Sequence, residues 1–144
     1  DITEISDATN EQMSNLSQYT SLIGCSVSGI AYDPTTGDML KIEGIVKGLQ
    51  AGLYEDYAIL DGVKANVAGI YNSASNDTEF VKNQLQQAVE SGEKIDIVIR
   101  DIQTGKSVPV TVLVESFEIS EDGEITGVLN QLAIPVDGIT RVNR

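Results

Sequence analysis

The chain predicts a mainly β (α+β) protein with two short helices, arranged as two repeated units, each a helix followed by a small antiparallel barrel. Three observations lead there. Short runs rich in Val and Ile alternate apolar with polar residues, the pattern of strands wet on one face. Turn signals built on Asp and Gly punctuate those runs at short intervals. The second half also repeats the plan of the first at a fixed offset, so the units are expected to span 1–71 and 72–144.

The elements follow in order. Residues 6–22 read as an amphipathic helix, capped by Ser6 or Asp7, with Met13, Leu16, Tyr19 and Ile23 recurring at helical spacing. Its other face is Asn, Gln, Ser and Thr, weak helix formers, so the apolar stripe must be held by packing. At Leu22 the period becomes strand-like. A strand over 25–32 leads to the turn Asp33-Pro34-Thr35-Thr36-Gly37-Asp38, where Pro sets φ early and Gly supplies positive φ late. Leu40, Ile42 and Val46 alternate with Lys41, Glu43 and Lys47 on the return strand. Tyr54 to Leu60 form the next strand, Asp61-Gly62 gives a two-residue hairpin signal, and a short strand runs from Val63 to about Ile70. Short strands this closely spaced, within about fifty residues, suggest an SH3-like barrel.

Asn72-Ser73-Ala74-Ser75 reads as a linker. Asn76 caps the second predicted helix, with Glu79 closing a capping box, and Gly92 stops it. Ile95, Ile97 and Ile99 mark a strand, Gln103-Thr104-Gly105 turns it, and Val108, Val110, Val112 and Val114 run back. Glu121-Asp122-Gly123 turns again into strands at 124–132 and 133–136, and Asp137-Gly138 leads into 139–142. Placing Asp33–Gly37 on Asp101–Gly105 shifts the chain by 101 − 33 = 68 residues. Gly24 then falls on Gly92, Val27 on Ile95, Leu40 on Val108 and Val46 on Val114. With one residue more, Val67 meets Val136 and Ile70 meets Ile139.

Charge and composition narrow the chemistry. Twenty-two acidic residues against nine basic give a net charge of -13, the wrong sign for phosphate backbones and for anionic membranes. No run approaches the ~20 apolar residues of a membrane helix. With no His, imidazole-based triads and the commonest metal ligand are missing, and Cys25 alone can form neither an internal disulfide nor a zinc set. Thr104-Gly105-Lys106-Ser107 ends like a phosphate loop, but Arg100 stands where that motif needs Gly, and the segment joins two strands. Acidic pairs at Glu55-Asp56 and Glu121-Asp122, and Asp33 with Asp38, sit at turns and lack the spacing of a calcium loop. No catalytic, cofactor or metal residues are assigned, and the expected activity is non-enzymatic. Asp1 is not preceded by Met, which reads as a piece of a longer protein with any export signal upstream.

Gln12-Met13-Ser14-Asn15-Leu16, Leu22-Ile23-Gly24-Cys25-Ser26-Val27, Ile42-Glu43-Gly44-Ile45-Val46, Tyr57–Gly62 and Val67-Ala68-Gly69-Ile70 together resemble the flagellar hook-assembly (hook-capping) family, also called basal-body rod modification proteins. The resemblance covers about residues 10–71 and, through the repeat, 95–142 more weakly. Cys25 stands where the family motif has Lys, and the second half is too short for the immunoglobulin-like insert many members carry. The resemblance implies a Tudor-like barrel and a protein exported through the flagellar apparatus to the extracellular hook tip. There it self-associates into a cap, contacts hook protein subunits and promotes their addition. No motif demands a cofactor, and the charge and hydropathy already given lead to no expectation of nucleic-acid binding or membrane insertion. The helix stripe at Met13, Leu16 and Tyr19 is the expected protein-contact surface wherever it is exposed. A phage-tail-like or cell-surface SH3-like binding module is the alternative, and a metal-dependent enzyme using the acidic pairs a third reading.

Overall fold

The computed structural model describes residues 19–143. Nine strands form: β1 (Ser26–Tyr32), β2 (Met39–Ala51), β3 (Asp56–Asp61), β4 (Val63–Ile70), β5 (Ile95–Arg100), β6 (Ser107–Ile119), β7 (Ile125–Asn130), β8 (Leu132–Pro135) and β9 (Ile139–Asn143). A helix, α1 (Thr78–Ser91), lies between β4 and β5. The strands make a five-stranded sheet in the order β8-β3-β2-β1-β9 and a closed barrel of β4, β5, β6 and β7.

This corrects the expectation of two successive helix-plus-barrel units. Each sheet takes strands from both sides of the Asn72–Ser75 segment. β4 leaves the first half to pair with β7 and β5, while β8 and β9 leave the second half to pair with β3 and β1. The reason lies at two corners. Asp61-Gly62 is not a hairpin: Gly62 takes φ 71, and the chain passes from one sheet into the other. Gln131, with φ 58, does the same between β7 and β8. The corners are stitched to each other, since the Gly62 N–H donates to Asn130 Oδ1 (2.9 Å) and the Gln131 N–H to Asp61 Oδ1 (2.9 Å). Gly44 makes room for the crossing. A Cβ there would lie 2.7 Å from Val63 Cγ2 and 3.0 Å from the Asp61 carbonyl oxygen.

Helical content differs too. Among the described residues α1 is the one α-helix. The predicted first helix falls mostly outside them, and at its end Thr20–Leu22 form a 3-10 turn with Leu22 buried. Asp77, one residue after the predicted cap, caps α1 by accepting from the Phe80 N–H at 2.8 Å. Asn76 instead accepts from the Ile70 N–H (2.8 Å), which ties the end of β4 to the helix entry. Glu79 pairs with Lys82 at 3.7 Å and closes no capping box. Gly92 ends the helix with φ 70, its N–H returning to the Ala88 carbonyl.

What the offset relates is therefore strand pairing. Val27 opposite Gly44 and Ala31 opposite Leu40 correspond to Ile95 opposite Val112 and Ile99 opposite Val108. The long strands bulge at matching places, Val46/Gly48 and Val114/Ser116. The two Asp turns also match, with the Thr35 N–H donating to Asp33 Oδ1 and the Gln103 N–H to Asp101 Oδ1, both at 2.9 Å. One contiguous apolar core runs through both sheets: Val27, Val46 and Leu60 in one, Ile97, Val112 and Leu129 in the other, with Leu85 of α1 sealing an end. Burial of that many aliphatic side chains is the main source of stability in a chain with so few aromatics.

Candidate functional site

The long strands β2 and β6 each have a half with one neighbour. β2 pairs with β1 over Met39–Ile45 but meets β3 only from Ile45 onward. β6 pairs with β5 over Ser107–Val112 but meets β7 only from Leu113. Beside each singly paired half the surface opens into a cleft. The two clefts occupy corresponding positions, since Lys41, Ile42, Glu43 and Lys64 of one are the counterparts of Pro109, Val110, Thr111 and Ala133 of the other at the repeat offset.

The cleft beside β6 is an apolar groove of about 500 Å³. Tyr32, Pro34, Tyr57, Pro109, Val110 and Pro135 line it, so all three prolines of the chain are gathered here. Proline in a strand sacrifices a main-chain donor and is tolerated where the strand has a free side. Pro109 sits on the singly paired half of β6, and Pro135 ends β8 opposite Tyr57. Tyr32 is 51% exposed and faces Met39, 53% exposed, across the β1–β2 ladder. The Tyr57 hydroxyl donates to Glu55 Oε2 at 3.4 Å. Burial first, then the charge of Glu55 and that hydrogen bond, push the Tyr57 phenol above its usual range. Leu53 and Tyr54, at the β2–β3 tip, are 86% and 93% exposed.

The cleft beside β2 has a volume of about 570 Å³ and the opposite chemistry. Lys41 comes from β2, Lys64 from β4 and Arg141 from β9, with Ser28, Glu43 and Thr140 between them. The Ser28 hydroxyl donates to Glu43 Oε2 at 3.0 Å, and the Thr140 hydroxyl to the Ser28 carbonyl at 3.3 Å. Among the described residues no carboxylate lies within ion-pair distance of these three cations.

Of the residues expected to form a contact surface, Met13 and Leu16 lie outside the described residues. Tyr19 is half-buried and packs against the core. The acidic turns have local work. Asp33 and Asp101 hold their turns, and Ser120 donates to Asp122, which holds that exposed carboxyl below its usual range. Among the described residues no three Cys, Asp or Glu side chains gather as metal ligands. Sequence reasoning passed over both clefts, because their walls come from strands that are distant in the chain. The signal on offer was Pro109, a residue without a main-chain donor standing between Val108 and Val110 of a predicted strand. No family model matches the chain, no curated protein matches it, and no solved structure matches it.

Proposed function

We propose that the chain is a non-enzymatic protein-binding scaffold that caps the growing flagellar hook, associating with itself and with hook protein subunits and promoting their addition at the tip. The ordered motifs from Leu22 to Ile70 motivate the flagellar assignment. The observation that supports a binding role is the open groove lined by Tyr32, Tyr57 and the three prolines. Rigid aromatic and proline surfaces lose little conformational entropy when covered, so they suit protein contact.

The test mixes the full protein with purified hook subunits and follows complex formation by light scattering coupled to size exclusion. Complexes are expected with the native chain. Tyr32→Ser should weaken them at least tenfold while leaving the melting temperature within a degree or two, since the side chain is half-exposed. A strict monomer indifferent to hook protein would sink the proposal, and capture on peptidoglycan instead would assign the chain to a cell-surface module.

A further inference from the structure

We propose that the cleft walled by Lys41, Lys64 and Arg141 binds an extended acidic segment of a partner protein, laid along the singly paired half of β2. The inference needs only that the chain binds protein, and does not depend on the flagellar assignment. It starts from an imbalance. The chain carries -13 and has only nine cations, yet three of them line one cleft, against a single carboxylate, Glu43. Here no carboxylate of the described residues reaches any of the three. Like charges held around one cavity repel each other, and an anion entering between them relieves that repulsion.

The form of the site argues for an extended ligand rather than a compact anion. A phosphate cradle concentrates main-chain N–H groups at a helix start or a nest. In this cleft the charge is spread over three strands and borne on long, exposed side chains. The Ser28 and Thr140 hydroxyls are already donating within the wall. Carboxylates spaced along a polypeptide match that spread. The Met39–Gly44 stretch of β2 is hydrogen-bonded to β1 on one side and to no strand on the other, where β4 packs against its Gly44 end, and strand addition to such an edge is a common mode of peptide recognition. The comparison between the two clefts sharpens this. At the counterpart of Lys41 the other cleft has Pro109, which blunts the edge and offers no N–H, and at the counterpart of Lys64 it has Ala133. Only the basic cleft joins positive charge to an edge without proline. At 0.15 M salt, fields are screened over about 8 Å, so carboxylates on the rest of the surface add little and the charges inside the cleft decide.

The experiment titrates the full chain into a fluorescein-labelled octaglutamate peptide at 0.15 M NaCl and reads fluorescence anisotropy. Saturable one-to-one binding is expected. The triple change Lys41→Gln, Lys64→Gln and Arg141→Gln should weaken it at least tenfold. Lys82→Gln, Lys94→Gln and Lys106→Gln, which remove equal charge outside the cleft, should change it less than twofold. Lys41→Gln alone, expected to cost about threefold, covers the case in which the triple variant melts early. Equal losses in the two triple variants, or no saturable binding by the native chain, would overturn the proposal. Displacement of the peptide by millimolar inorganic phosphate would overturn it in favour of a small-anion site. Self-association of the native chain that disappears in the cleft variant would overturn it in favour of a second copy as the occupant.

Discussion

Leu129→Ala tests whether the exchanged strands bind the two sheets into one cooperative body. Leu129 lies in β7, fully buried, opposite Val63 of β4 and Val114 of β6. Truncation to Ala removes three carbons, worth about 2.4 kcal/mol at ~0.8 kcal/mol per buried methylene. The cavity left behind adds about 1–2 kcal/mol more, because surrounding strands relax only in part. The expected loss is therefore about 4 kcal/mol. Urea denaturation followed by circular dichroism and tyrosine fluorescence gives the total, and native-state amide exchange shows where it falls. The barrel amide at Ile97 must lose protection. The telling amides are those of Val46 and Ala58, which lie in the five-stranded sheet. β4 continues directly from β3, and the Asp61 and Asn130 bonds join the two corners, so these amides should lose the same ~4 kcal/mol. Native-like protection at Val46 and Ala58 beside a loosened Ile97 would refute the reasoning and make the sheets independent.

Two further outcomes follow from local geometry. Gly44→Ala places a methyl against Val63, Leu60 and the Asp61 carbonyl at the crossing, and should destabilise by about 1–3 kcal/mol as overpacking does; an unchanged denaturation midpoint would show that the crossing has slack. Tyr57 has a phenol pKa raised above 10.0, so its contribution is whole below pH 10.0 and fades as pH rises through the higher folded value. Melting curves between pH 9 and 11.5 should fall more steeply for the native chain than for Tyr57→Phe, and parallel curves would refute it.

The strands were largely legible in the sequence because alternation reports burial face directly. Leu40, Ile42 and Val46 point inward as their spacing requires, and Gly37, Gly92 and Gly105 occupy the positive-φ positions their turns need. Strand partners were not legible. Alternation says which face of a strand is buried, not which neighbour it bonds, and a two-residue link such as Asp61-Gly62 serves a hairpin or a change of sheet equally well. The choice was made by contacts about seventy residues away, at Asn130 and Gln131. The cap at Asp77 was missed by one residue because Asn76 has equal capping propensity and is engaged by β4. Lys41, Lys64 and Arg141 looked like ordinary solvated charges along three separate strands, and only the fold brings them to one cleft.

The pairing of β1 with β9 has a consequence for how the molecule comes into being on the ribosome. Strand β1 waits for β9: Val27 finds Val142 only after every strand between them has been made. A tandem protein can finish its leading module early, whereas here the five-stranded sheet stays incomplete until β9 has been made. Closing so long a loop is slow compared with local hairpin formation. The nascent five-stranded sheet thus keeps one side of β1 open until β9 arrives.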